Sequence, residues 1–342
     1  MKVLYIDTES FPTHANFNRI HIRALQKVGC EVYCVLKVGY KQILQIPDLK
    51  VVYEIPVTYY ETGRDTPIRG RFLMLKRLFC IKKNVDFRQY DKILLSYYDE
   101  TVLPFAFYPK GLYLINHVNI GGLKYWLKRK MFLYLSLSNI QIVLTKAAFN
   151  YIGKLGVTKK ELVYHGLPDP YNSLLSTAKN KHKYTIFSPS AQSSDFDSIS
   201  QLLNSDKFIE FLKERDIEFI IRSKVSLPKK SNVKVLTSYM CNEDYQQCFL
   251  KSDIILISYK KTFMYRVSAV LLECIANKKN VIIKKHLGLK EYESILGKDV
   301  FYESVDEAIS AIDAILCKHQ KICYDRFNFE PNYHFLTQTK HY

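Results

Sequence analysis

KTFMYRVSAVLLECIANKKNVII, running from Lys261 to Ile283, is the stretch whose periodicity decides the fold. Just before it, Ile254-Ile255-Leu256-Ile257 is short, β-branched and bounded by Asp253 and Ser258, which reads as a buried parallel strand. From Ser268 onward the pattern changes, with Val270, Leu271, Cys274 and Ile275 recurring at helical spacing. Asn277-Lys278-Lys279-Asn280 breaks that run, and Val281-Ile282-Ile283 begins another buried strand. Strand, loop, helix and strand make a right-handed βαβ unit. In open parallel sheets a ligand sits beyond the carboxyl ends of the strands, so Tyr259 to Ser268 is the segment expected to face one.

That segment carries Arg266, the hydroxyl of Ser268 and the free N–H groups of a helix beginning near Ala269. A positive helix end, unpaired donors and a guanidinium fork are the parts of a phosphate site. Glu273, one turn on, is placed to accept hydrogen bonds from a ribose diol. An ordinary βα loop with a solvated Arg and Glu is the competing reading of the same spacing.

Tyr265-Arg266-Val267-Ser268-Ala269-Val270-Leu271-Leu272-Glu273 resembles the donor-binding segment of GT-B glycosyltransferases, closest to bacterial polysaccharide-type enzymes with Y-R-x-S-G-x-x-x-E before an apolar helix. The resemblance implies that Glu273 binds the ribose of a nucleotide sugar. It implies that Arg266, Ser268, Ala269 and Val270 hold the diphosphate, with Tyr265 beside them. Two departures stand out: Tyr265 occupies the place of an earlier Glu in the related E-x7-E pattern, and Ala269 the place of a Gly.

At 342 residues the chain has room for two domains of about 150 residues, each with its own core. Hydrophobic residues at 48% and charged residues at 24% exclude a disordered chain. No window approaches about 20 apolar residues, so no transmembrane helix is expected. Met1-Lys2-Val3-Leu4-Tyr5-Ile6-Asp7 meets an acid too soon for a signal peptide and reads as a first buried strand. Eight Cys are scattered without a CxxC pair, which fits reduced core thiols in a cytoplasmic protein and no metal site. The net charge of +17 is uneven: residues 1–170 hold 25 Lys+Arg against 13 Asp+Glu, the remainder 25 against 20. A basic half suits nucleic acid, anionic lipid or an anionic substrate, and composition does not choose among them.

Read in order, Lys2 to Asp7, a helix holding Ile20, Ile22, Leu25 and Val28, and strand Glu31 to Lys37 open a doubly wound pattern. No GxGxxG follows the first strand, which argues against a dinucleotide dehydrogenase. This opening resembles the acceptor-side domain of GT-B enzymes, whose first loop lines the cleft; here it offers Glu9, His14, Asn16 and Asn18. Two basic–aromatic segments, 64–83 and 124–138, suit an anionic membrane surface as well as a solvated or core helix. In the first, apolar and basic residues are expected on separate faces. Strand 91–96 ends in Tyr97-Tyr98-Asp99-Glu100, where a cleft is expected, and strand 111–117 ends at His117. In the family a His at this point approaches the reacting centre. A strand-end His is equally a structural residue.

Val163 to Pro170 resembles the segment that closes the first domain of the fold, with His165 in place of an Asn. After strand Tyr184 to Ser188, many relatives supply an Arg and a Lys to the diphosphate. Here Pro189 to Asp195 has neither, and Arg222 and Lys224, after the next strand, are the nearest substitutes. The expected architecture is thus α/β, two Rossmann-like doubly wound domains facing a cleft. The expected boundaries are an acceptor-side domain 1–170, a linker 171–182, a nucleotide-sugar-binding domain 183–322 and a tail 323–342 crossing back to the first domain. The resemblance implies transfer of a sugar from a UDP- or GDP-sugar to a hydroxyl of a surface glycan or lipid-linked saccharide. Glu9, Asp99 and His117 are the candidate catalytic groups. No DxD-type motif is evident, so no metal or other cofactor is expected; location is cytoplasmic, peripheral on the inner face of the membrane. Two rival readings are a catalytically inactive GT-B partner subunit and a basic nucleic-acid-binding protein, the latter without a recognised motif.

Overall fold

Two all-parallel sheets organise the chain, and both are built from the apolar runs that their burial demands. The structure, a computed structural model, describes residues 1–11, 14–56, 67–106, 108–172, 182–189, 195–223, 225, 227–237, 240–317 and 329–338. These fall into two compact units: Met1–Gly166 with Tyr265–Val267 and Phe329–Tyr342, and Leu167–Met264 with Ser268–Asn328.

In the first unit the elements run β1 (Lys2–Asp7), α1 (Ala15–Lys27), β2 (Glu31–Lys37), α2 (Tyr40–Leu44), β3 (Lys50–Ile55), α3 (Pro67–Asn84), β4 (Lys92–Tyr97), β5 (Tyr113–Asn116), α4 (Trp126–Ser138), β6 (Ile140–Val143), α5 (Lys146–Lys154) and β7 (Lys160–Leu162). The sheet order is β3-β2-β1-β4-β5-β6-β7. Side chains alternate across a strand, so neighbouring residues of β1 serve different cores. Val3 and Tyr5 join Leu25, Cys34 and Ile115 on one face; Leu4 and Ile6 join Leu78, Ile81 and Leu95 on the other. The second of these cores is closed by α3, the first by α1 and by Tyr333 and Leu336 of the tail. Gly29, with φ +81°, takes the left-handed conformation that ends the first helix.

The second unit runs β8 (Tyr184–Ser188), α6 (Phe196–Asn204), α7 (Asp206–Glu214), β9 (Ile217–Arg222), β10 (Val233–Leu236), α8 (Asn242–Lys251), β11 (Ile254–Ile257), α9 (Ala269–Ala276), β12 (Asn280–Lys284), α10 (Glu293–Leu296), β13 (Phe301–Tyr302) and α11 (Val305–Cys317). Its order is β10-β9-β8-β11-β12-β13. The strand order reverses between β1 and β4 in the first unit and between β8 and β11 in the second. Loops at the carboxyl ends of those pairs frame a ligand crevice in doubly wound folds. They are residues 8–14 and 98–100 in one unit, 189–195 and 258–264 in the other, whose chain continues at Ser268; residues 12, 13 and 190–194 lie outside the described residues. So do the candidate Lys224, Arg64 of the first basic segment, residues 173–181 of the expected linker, and 318–328 and 339–342 near the tail.

Cysteine burial is more mixed than the apolar context of the thiols implied. Cys30, Cys34 and Cys274 are buried, while Cys241 is exposed and its sulfur caps α8 by accepting from Asp244 N. Among the described residues no helix is long and apolar enough to cross a membrane.

Candidate functional site

At the reversal point of the first sheet the loops after β1 and β4 enclose a pocket of about 800 Å³. The first of these loops is held by Asp7, the last residue of β1, which is buried and accepts from the N–H groups of Glu9 and Ser10. Asn18 of α1 donates to the same carboxylate and accepts from Tyr5. Asn18, expected on the acceptor side, is therefore wholly buried in a network that shapes the loop; Asn16 is exposed and accepts from Arg19.

Glu9 and Asp99 both line this pocket, and each has a cationic partner there. Arg77 Nη1 stands 2.5 Å from Glu9 Oε1, and Lys37 Nζ 3.6 Å from Oε2. Burial raises the Glu9 pKa despite the two cations. Asp99 shows the opposite balance. Burial pushes its carboxyl up, but bonds from the hydroxyl and N–H of Thr101, with Lys128 and Arg71 nearby, hold it below its usual value. Lys128 also reaches Glu100 at 2.9 Å. The result is a pocket with charged walls, its acids and bases interleaved rather than separated.

His117, at the end of β5, belongs to a different cluster in the same unit. Phe17 of α1 lies at the centre, with ring centroids 4.3 Å from His21, 4.9 Å from His117 and 5.0 Å from His165. His14 packs edge-on to His117 at 4.8 Å. Burial lowers all four imidazole pKa values. That of His117 falls to about 3, through burial first and then His14, His165 and Arg266; that of His165 falls to about 4. These rings are neutral at pH 7. His21 Nδ1 meets Tyr333 OH at 2.6 Å, but His117 Nδ1 and Arg266 Nε are buried without a hydrogen-bond partner among the described residues. Tyr265, next to Arg266, stacks on Tyr151 at 4.5 Å, and Val267 packs on the core of the first unit. Arg266 and His117 thus come together, a juxtaposition of residues 149 positions apart that no local pattern carries.

In the second unit α9 begins where its spacing predicts. Ser268 is fully buried; its Oγ accepts from Leu271 N at 3.0 Å and bonds Tyr259 OH at 2.7 Å. Its hydroxyl is thus the N-cap of the helix. Ala269 and Val270 contribute the first N–H groups, which have no partner within the helix. Glu273, on the next turn, accepts from Tyr245 OH at 2.7 Å and also bonds Tyr171. Burial raises its pKa while the two hydroxyls oppose the rise. Tyr171, which the sequence places at the start of the linker, is packed here: its N–H donates to Asn277 at 2.7 Å and its ring meets Phe249 edge-on. Arg222 closes β9, half-buried. Among the described residues no three His, Cys, Asp or Glu side chains converge as metal ligands.

Two Rossmann-like units of this topology constitute the GT-B fold, and solved structures bear the fold out. Anabaena HepE, crystallised in complex with UDP and glucose, is similar over 94% of this chain and 91% of its own, at 14% identity and a TM-score of 0.58. A UDP-forming α,α-trehalose-phosphate synthase from Burkholderia xenovorans gives a TM-score of 0.59 at 9% identity, over 92% and 91% of the two chains. The UDP-GlcNAc 2-epimerase of Neisseria meningitidis, bound to UDP-GlcNAc, gives 0.52 at 14%, over 92% and 91%. No protein-family model and no curated protein matches the chain.

Proposed function

We propose that the protein is a glycosyltransferase that moves a sugar from a nucleotide-diphosphate donor to a hydroxyl of a glycan or lipid-linked saccharide. The observation that carries this reading is the pair of orphaned buried nitrogens, His117 Nδ1 and Arg266 Nε. Buried polar atoms almost always have partners, so two such atoms, on residues that influence one another electrostatically, argue for a polar ligand. The first N–H groups of α9, at Ala269 and Val270, are donors of the kind that suit an anion. The fold is one in which UDP-bound enzymes are found, which favours a nucleoside diphosphate as that anion.

On this reading the Arg266 guanidinium stabilises the charge of the donor's diphosphate as the bond to the sugar breaks. Glu273 takes the ribose. A carboxylate has about four acceptor sites, so the hydroxyls of Tyr171 and Tyr245 orient it and leave capacity for a diol. Neutral His117 accepts from or donates to the sugar rather than repelling a cationic neighbour. The pocket beside Glu9 and Asp99 is assigned to the acceptor, with either carboxylate as candidate base. Glu9 suits that role better, because burial raises its pKa while Asp99 is held low.

Incubation with UDP- and GDP-sugars, with and without hydroxyl acceptors, tests the proposal by release of the nucleoside diphosphate. Acceptor-dependent release supports transfer. Isomerisation of UDP-GlcNAc without release supports an epimerase, and binding of nucleotide with neither outcome supports an inactive partner subunit.

A further inference from the structure

The outward sides of α3 and α4 are apolar where solvent-facing helices are ordinarily polar. α3 buries Met74, Leu78 and Ile81 against the sheet. Its opposite side carries Ile68, Phe72 and Phe79, with Phe72 69% exposed, and between them Lys76 and Lys83. The sequence pattern separates apolar from basic residues onto two faces. The structure instead mixes both kinds on one outward strip, because the buried face is filled by other residues of the same helix. α4 repeats the design. Phe132 and Leu135 face inward, while Trp126 (60% exposed), Leu127, Tyr134 and Leu137 (74% exposed) face out beside Arg129 and Lys130. Lys130 Nζ lies 4.3 Å from the Trp126 ring centroid. Neither helix contains an acid.

Single exposed apolar residues need no explanation, but clustering does. With Tyr125, these two helices hold eight of the sixteen exposed large apolar side chains among the described residues. They also border one pocket: Arg71 of α3 reaches Asp99 at 3.3 Å and Lys128 of α4 reaches Glu100 at 2.9 Å, adjacent residues on its rim. Aromatic rings interleaved with lysines suit the boundary of an anionic bilayer, where rings sit among headgroups and ammonium groups meet phosphate. Protein interfaces are depleted in Lys, and nucleic acid gives no partner for exposed Ile68, Leu127 or Leu137.

We propose that the outward strips of α3 and α4 dock the first unit on an anionic lipid bilayer. Phe72, Phe79, Trp126 and Leu137 enter the headgroup–acyl boundary, and Lys76, Lys83, Arg129 and Lys130 contact lipid phosphates. Docking in this way brings the pocket rim to the lipid surface. If the transfer reading holds, the acceptor is then a lipid-anchored saccharide, although docking itself is independent of donor binding.

Trp126 is the single Trp of the chain, so its emission reports on this face directly. The experiment is sedimentation with phosphatidylcholine vesicles, with and without phosphatidylglycerol, at physiological salt, with Trp emission read in parallel. The expected result is pelleting only with phosphatidylglycerol, a blue shift of Trp126, and release at high salt. Phe72→Ser/Phe79→Ser lowers partition at least about tenfold. Lys76→Gln/Lys83→Gln lowers it about fivefold per cation. Both variants change exposed positions and are expected to melt like the parent. Absence of phosphatidylglycerol-dependent pelleting overturns the proposal, and so does pelleting with Trp126 emission unchanged. A lipid-free dimer in sedimentation velocity whose formation shifts Trp126 also overturns it, by making the face a contact between copies.

Discussion

Acidification from pH 7.5 to 5 removes stability from the first unit through the histidines around Phe17. His117 and His165 have folded pKa values of about 3 and about 4 against an ordinary 6.5. A depressed His favours the folded state above its unfolded pKa, and that advantage is lost as pH falls from 6.5 towards the folded value. In this window the unfolded chain binds protons that the folded one refuses. Linkage over these pH values gives about 2 kcal/mol for each residue, about 4 kcal/mol together. His14 and His21, also depressed, act with the same sign. Glu9 acts against them: its raised pKa costs stability at neutral pH and returns it on protonation. Asp7 and Arg266, the charged groups near the cluster, act through their influence on the imidazoles. The control is therefore His117→Asn/His165→Asn, which removes two titrating rings and leaves Glu9. Urea unfolding followed by Trp126, which lies in the first unit, reports on that unit. The parent is expected to lose about 4 kcal/mol more than the variant on acidification. Parallel losses in the two proteins would refute the reasoning.

Three further outcomes follow from packing and pairing. Phe17→Ala empties the centre of the histidine cluster and is expected to cost about 3–5 kcal/mol by the same fluorescence assay. Arg77→Ala leaves the buried Glu9 carboxylate with Lys37 alone, at a cost of about 3–5 kcal/mol, whereas Arg77→Met/Glu9→Gln recovers part of it because the carboxylate charge is gone with its partner guanidinium. Gly288→Ala sets a Cβ 2.5 Å from the carbonyl oxygen of Met264, in the loop that leads to α9. That backbone has to move, so a lower thermal midpoint by circular dichroism and weaker nucleoside diphosphate binding are expected together.

The central sheet strands were largely legible because they are buried on both faces and so stand out as apolar runs. Lys2–Asp7, Glu31–Lys37, Tyr184–Ser188 and Ile254–Ile257 read from the sequence with the bounds that the structure gives. α9 was legible from its spacing after β11. Strand β7 was not, since three half-buried residues, Lys160 to Leu162, leave no apolar run. Helices α6 and α7, both amphipathic, were not among the expected elements. The capping of α9 by Ser268 could have been read from the Ser before the helix, which marks an N-cap as readily as a phosphate ligand. Interactions between distant residues left no trace. Glu9 finds Arg77 across 68 residues, Tyr245 finds Glu273 across 28, and Phe17 gathers His117 and His165 from the far ends of two other strands. Such pairs are set by sheet order, which periodicity does not encode.

The central claim is tested most directly by calorimetric titration of the protein with UDP, GDP, CMP and ADP, beside Arg266→Ala and Glu273→Ala. The account predicts that one nucleoside diphosphate binds the parent. Each variant then loses about tenfold or more, as expected for a hydrogen bond to a charged group. Absence of binding by every nucleotide, or binding that neither substitution weakens, would contradict it.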